Sequence, residues 1–62
     1  YVIALTHIWT NNDKWLAENV EGIDLFLGGH DHTTVQLVVN NNLIKKSGCD
    51  FWEFSLITLE KR

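Results

Sequence analysis

The sequence predicts a small α/β fold in which a strand, a helix and a second strand are followed by antiparallel strands. Two short apolar runs rich in strand-forming residues flank a segment with helical spacing. Two later runs are separated by three asparagines, which favour a tight turn. A chain of 62 residues suits one small domain with a marginal core, yet 45% of its residues are hydrophobic. We therefore interpret it as part of a larger domain or as one partner of an assembly.

The first predicted strand covers residues 1–6, a nearly continuous apolar run of the kind found in strands that are buried on both faces. A polar stretch follows it, in which Asn11 or Asn12 is the predicted helix N-cap. Asp13 would then lie near the positive end of the helix dipole.

The predicted helix is short, about ten residues, which is close to the average for globular proteins. Leu16 and Val20, together with Trp15, give it a short apolar stripe, and Gly22 is the predicted C-terminal stop. The apolar run 23–27 is the second strand. A strand, helix and strand of this length form a βαβ unit, so we expect the two strands to be parallel with a right-handed crossover.

The second half of the chain predicts antiparallel strands. Residues 33–39 and 43–46 form a predicted hairpin, and the asparagines between them can adopt the positive φ angles of a tight turn. A last strand is predicted at 51–59, with two sets of side chains on opposite faces. Trp52, Phe54 and Leu56 form one set, and Phe51, Glu53, Ser55, Ile57 and Leu59 form the other.

Composition argues against several classes of function. The net charge is −3 and the basic residues are scattered, so a nucleic-acid polymer is not an expected partner. No apolar run approaches the roughly 18 residues of a membrane-spanning helix. The single cysteine, Cys49, cannot form an internal disulfide, and the chain has no Asn-X-Ser/Thr glycosylation site. Both observations favour an intracellular setting.

The three histidines are the candidate functional residues. His7 directly follows the first predicted strand, and His30 lies just past the end of the second. Parallel strands joined by a helix present their carboxyl ends at the same edge of a sheet, where ligand sites form in α/β folds. The crossover alone should therefore bring His7 and His30 to one edge.

His32 adds a third imidazole to this edge. If the stretch after Gly28-Gly29 is extended, His30 and His32 point to the same side, and the glycines would let the backbone approach a bound group. A single histidine is usually a surface or hydrogen-bonded residue, and a Gly-Gly pair is usually an ordinary turn. Three imidazoles at one edge nevertheless predict a metal or catalytic site, since imidazole binds Zn, Mn, Fe or Ni.

Several segments together resemble the calcineurin-like metallophosphoesterase superfamily, and within it the 5′-nucleotidase branch. These are residues 4–7, Asp13 with Leu16 and Ala17, 22–25, the Gly28-Gly29-His30-Asp31-His32 element, and the later turn, 44–48 and the closing strand. The resemblance spans nearly the whole chain. It implies that the chain is a portion of a four-layer αββα sandwich and that residues 1–62 form a C-terminal fragment of its catalytic domain.

The resemblance also implies a role for each histidine. His7 and His30 would bind one metal ion, and His32 would bind a second, so the complete domain would hold two divalent ions such as Zn, Mn or Fe. The ions would activate a bridging hydroxide that attacks a nucleotide or related phosphate ester. Asp31 would orient an imidazole, while Asp13 and Asp24 would be a helix cap and structural polar residues.

The chain lacks other elements of that family. An Asp-X-His, a Gly-Asp pair that supplies a bridging Asp, and a Gly-Asn-His segment are absent from the sequence. The resemblance places them in the N-terminal half of the domain, which would be a partner of this chain. Without them the chain should be inactive by itself, and none of its own residues is a predicted catalytic residue. The alternative hypothesis is a non-catalytic structural or interaction component that retains the phosphoesterase fold.

Overall fold

The architecture is mixed α/β and is consistent with a portion of an α/β sandwich. A computed structural model describes residues 1–50 and 52–60, which contain one helix and one four-stranded sheet. The elements are, in chain order, β1 (Ile3–Thr6), α1 (Thr10–Asn19), β2 (Leu25–Gly28), β3 (Thr34–Val39) and β4 (Asn42–Ser47).

The sheet has the strand order β1-β2-β4-β3. β1 and β2 are parallel, as the βαβ pattern predicts, and Thr6 is level with Gly28. β3 and β4 form the predicted antiparallel hairpin, turning at Asn40 and Asn41, which both have positive φ. The hairpin joins the sheet through β4, which lies parallel to β2. The sequence did not indicate this pairing, because nothing local specifies which strand a distant strand joins.

The core lies between α1 and one face of the sheet. Ala17 of the helix packs with Phe26 of β2 and Ile44 of β4, and all three are fully buried. Partly buried side chains surround them: Ala4, Leu16, Ile23, Leu37 and Val39. Leu16 and Ala17 of the helix face the sheet, whereas Trp15 of the predicted stripe is exposed. Val20, the other member of that stripe, lies just past the helix and is also exposed.

The ends of α1 differ from the prediction, although its ten-residue length is confirmed. The helix begins two or three residues earlier than expected, with Trp9 at the N-cap position and no side-chain cap from Asn11 or Asn12. A carboxylate from a distant loop takes that role, as described below. At the other end the helix stops at Asn19, and extended Val20 follows it. Gly22, with φ of +90°, lies beyond in the connecting turn.

The predicted last strand is wrong for the residues that the structure describes, 52–60, and Phe51 lies outside them. This segment pairs with no strand among the described residues, and side-chain hydrogen bonds connect it to the rest of the fold. The hydroxyl of Thr34 donates to Glu53, the Ser47 and Ser55 hydroxyls are 2.5 Å apart, and the Tyr1 hydroxyl donates to a carbonyl near the chain end. Trp52, Phe54 and Leu56 are all exposed. Of the opposite predicted set, Ser55 and Ile57 are half-buried, whereas Glu53 and Leu59 are exposed.

Candidate functional site

The candidate site lies at the edge of the sheet where the parallel strands β1 and β2 end. Because Thr6 is level with Gly28, the residues that follow them emerge side by side. The rings of His7 and His30 meet edge to face, with centroids 5.2 Å apart and an interplanar angle of 84°. The sequence-based expectation that the crossover brings these two histidines together is therefore confirmed.

Trp9 completes an aromatic cluster at this edge. Its indole ring lies 4.2 Å from the ring of His30, at 72° between the planes, so it packs against the side of the imidazole. The side chain is nevertheless 62% exposed. The sequence analysis did not select Trp9, but a large aromatic residue two positions after a strand-end histidine was an available signal.

His32 does not join this pair. The expectation that 30–32 is extended is wrong, because His30 has φ of 80° and His32 has φ of 56°, both in the left-handed region. The chain bends here, so the alternation of an extended strand does not apply. His32 is exposed, and among the described residues no group of three or more His, Cys, Asp or Glu side chains is placed to hold a metal ion.

Asp31 lies between the two bends and connects the site to the helix. Its Oδ1 atom is 3.2 Å from Nδ1 of His30. Its Oδ2 atom accepts hydrogen bonds from the backbone N–H of Thr10, at 2.8 Å, and from the Thr10 hydroxyl. Asp31 thus caps the N-terminus of α1 from a distant loop, which explains why no local residue does so.

The surroundings of Asp31 favour its charged form. The hydroxyl of Thr10 is the main group that holds the pKa of this carboxyl well below its usual range, opposed by partial burial. The ammonium of Lys46 and the backbone N–H of Thr10 act in the same direction as the hydroxyl. A carboxylate can only accept hydrogen bonds. Nδ1 of His30 therefore carries the hydrogen in this contact, and in the neutral imidazole the lone pair is then on Nε2.

A buried lysine lies behind Asp31. The Nζ atom of Lys46 is 3.0 Å from Oδ2 of Asp13 and 3.1 Å from Oδ2 of Asp31, and it donates to the carbonyl of Ile8 at 2.9 Å. Asp13 is fully buried, and its other oxygen accepts a 2.6 Å hydrogen bond from the hydroxyl of Thr6. Asp13 is thus the structural polar residue that was expected, but not a helix cap.

Sequence reasoning missed Lys46, although one signal was available. Residues two apart on a strand share a face, and Ile44 is two positions before it. A lysine on the core side of a strand must reach buried acceptors. Asp24, by contrast, has the expected structural role, since its carboxylate accepts from the backbone N–H of Val2 at 2.8 Å.

The glycine pair serves a purpose that the sequence did not reveal. Neither Gly28 nor Gly29 has positive φ. A Cβ atom on Gly28 would lie 2.7 Å from Cε of Lys46 and 3.1 Å from the Thr6 hydroxyl oxygen. The missing side chain of Gly28 therefore makes room for the lysine stem, while Gly29 donates its N–H to the carbonyl of Thr6 at 3.0 Å.

The His7 and His30 pair fits one ligand pair of a metal ion. Two imidazoles bound to a tetrahedral ion through nitrogens about 2.1 Å away have ring centres roughly 5 Å apart, and the observed separation is 5.2 Å. A carboxylate on the second ring nitrogen, as Asp31 provides for His30, is also typical of metal-bound histidines. Among the described residues this pair supplies two imidazole donors, fewer than the three or four protein ligands of a typical zinc site.

Comparison with known proteins gives one local similarity. The chain is 60% identical over 42 residues to the trifunctional nucleotide phosphoesterase protein YfkN of Bacillus subtilis (strain 168). The match covers 64% of this chain and 3% of the relative, so the chain corresponds to a small part of that protein. No protein-family model and no solved structure matches the chain. Within residues 1–50 and 52–60, no helix is long and apolar enough to cross a membrane.

Proposed function

We propose that this chain is part of a metal-dependent phosphoesterase that hydrolyses nucleotides or related phosphate esters. The observation that carries the proposal is the pairing of His7 and His30 at the carboxyl edge of β1 and β2, with their ring centroids 5.2 Å apart. Its second support is the local similarity to a trifunctional nucleotide phosphoesterase. The calcineurin-like resemblance of the sequence leads to the same reaction class.

In this proposal His7 and His30 hold one divalent ion, and His32 contributes to a second. Ions of this kind supply a hydroxide at neutral pH and neutralise charge on the phosphoryl group. Asp31 keeps Nδ1 of His30 occupied, so Nε2 would be the nitrogen available to the ion. Trp9 packs against the same ring and screens one side of it from water.

The proposal also assigns the chain a place in a larger catalytic domain. Residues 1–62 form its C-terminal part, and the remaining metal ligands come from other segments of the domain. A phosphate ester or nucleotide is the expected substrate.

The test is a metal count on the complete natural polypeptide. We expect about two transition-metal ions per chain, as in two-metal hydrolases, and hydrolysis of a phosphomonoester such as p-nitrophenyl phosphate. His7→Ala, His30→Ala and His32→Ala should each lower both the metal content and the rate. Glu18→Ala, on the exposed side of α1, is the matched control and should change neither.

One observation favours a second candidate function, that of a non-catalytic structural or interaction component. Trp52, Phe54 and Leu56 are more than 80% exposed, and exposed apolar side chains in a row are typical of binding surfaces. The metal count separates the two functions. A folded protein that holds no metal and hydrolyses no phosphomonoester would refute the phosphoesterase proposal and leave the scaffold role.

A further inference from the structure

Lys46 is placed in a way that is unusual for a lysine. It lies on the core side of β4 beside fully buried Ile44, and only 2% of its surface is exposed. Its stem passes over Gly28, the residue level with it on β2. Lysines are almost never this buried unless they are paired. The side chain must therefore satisfy its charge within the protein.

The ammonium group has three donors and three acceptors around it. Oδ2 of Asp13, Oδ2 of Asp31 and the carbonyl oxygen of Ile8 lie 3.0, 3.1 and 2.9 Å from Nζ. The Asp13 contact is an ion pair without hydrogen-bond geometry. These partners come from the helix, from the loop after β2 and from the loop after β1. The position of Lys46 is thus fixed relative to all three.

Asp31 passes this constraint on to His30. One of its oxygens, Oδ2, is held by Lys46 and Thr10, so the carboxylate plane cannot rotate freely. The other, Oδ1, is directed at Nδ1 of His30, 3.2 Å away.

We propose that Lys46 is a positioning residue for His30 and acts through the carboxylate of Asp31. The proposal rests on the proposed function of His30 as a metal ligand. Lys46 holds Asp31 in the orientation that keeps hydrogen on Nδ1 of His30, and the Nε2 lone pair then remains available to a divalent ion.

The competing explanation is that Lys46 only attaches α1 to the sheet. The two explanations differ in which partner matters. Asp13 contacts Lys46 and Thr6, whereas Asp31 contacts both Lys46 and His30. If attachment is the whole role, changes at Asp13 and at Lys46 should alter stability alike and leave the state of His30 unchanged.

The test reads the protonation pattern of the His30 ring directly, without metal. ¹⁵N-histidine labelling of the complete natural polypeptide gives the ring signals, and a His30→Gln variant identifies those of His30. We expect His30 of the parent chain to carry hydrogen on Nδ1. In the double variant Asp13→Leu/Lys46→Met the ring should become a mixture of both forms. Replacing an entire buried ion pair by apolar residues often leaves a fold intact.

Controls and a second double variant keep the result interpretable. Asp13→Asn should leave the His30 pattern as in the parent, and so should Asp24→Asn, which removes a carboxylate charge far from the site. Asp31→Asn should change the pattern as the double variant does. Asp13→Asn/Lys46→Gln keeps polar groups at both positions. It replaces the apolar double variant, with the same readout, if circular dichroism shows that the apolar variant does not fold.

Co²⁺ titration followed by visible absorption supplies the second readout. We expect the dissociation constant of the double variant to rise about 10- to 100-fold, with no change for Asp13→Asn. Folded Lys46 variants that keep the parent ring pattern and the parent Co²⁺ affinity would overturn the proposal. A parent chain that binds no Co²⁺ through His30 would instead overturn the proposed function, while the ring pattern would still decide whether Lys46 positions His30.

Discussion

Lys46 occupies the space that a side chain on Gly28 would fill. The two residues are level with each other on the parallel strands β4 and β2. A Cβ atom built on Gly28 would lie 2.7 Å from Cε and 3.2 Å from Cγ of the lysine. A free lysine could swing away from such a contact, but this one is held by Asp13, Asp31 and the carbonyl of Ile8.

Gly28→Ala should therefore destabilise the fold by about 1–3 kcal/mol, the usual range for inserting an extra methyl group into a well-packed interior. Chemical denaturation followed by circular dichroism measures the change. Gly29→Ala is the matched control, because its Cβ would meet only a backbone oxygen at 3.9 Å, an ordinary contact. Equal stability losses for the two variants would show that the lysine is not confined.

Thr6→Val should cost about 1–3 kcal/mol of unfolding free energy, because it leaves a buried carboxylate without a hydrogen-bond donor. The hydroxyl of Thr6 donates to Asp13 at 2.6 Å, and Asp13 is fully buried. Thr34→Val is the comparison, since that hydroxyl donates to the carboxylate of Glu53 at the exposed surface. The interpretation fails if thermal or urea unfolding finds Thr34→Val the more damaging change.

The thiol of Cys49 should react slowly with iodoacetamide at pH 8. Burial raises its pKa, and the negative charges of Asp50 and Glu53 act in the same direction. A raised pKa means a smaller thiolate fraction at a given pH, so the rate profile shifts to more alkaline pH. The alkylation rate from pH 7 to 10, compared with that of the urea-unfolded chain, measures the shift.

Asp50→Asn removes the larger of the two charge effects and should move the rate profile of Cys49 part of the way back toward that of an ordinary cysteine. Asparagine suits this position, because Asp50 has φ of 55°. Equal alkylation rates for the folded and unfolded chains at every pH would contradict the raised pKa of Cys49.

Features that depend on local pattern were predictable from the sequence. β1, α1 and β2 follow from the spacing of apolar residues, and the meeting of His7 and His30 follows from the rule that parallel strands end at one edge. The positive φ angles of Asn40 and Asn41 follow from residue type. Each of these inferences needs only neighbouring residues and one topological rule.

Features that depend on distant contacts were not predictable. The helix is capped by Asp31, which lies twenty-one positions beyond Thr10, so no cap motif exists in the helix sequence. Lysine is normally exposed, and the burial of Lys46 depends on the space at Gly28. The segment 52–60 has strand-like alternation but pairs with none of the described strands, and alternation by itself does not specify a partner.

The strand order has a consequence for how the chain is made. β4 is the last of the four strands to leave the ribosome, yet it lies between β2 and β3. Until residues 42–47 have emerged, β3 has no neighbour in the sheet, and Asp13 and Asp31 have no ammonium group between them. Synthesis that stops before Asn42 would therefore leave a two-stranded remnant, whereas completing a single strand supplies the centre of the sheet and the counter-charge together.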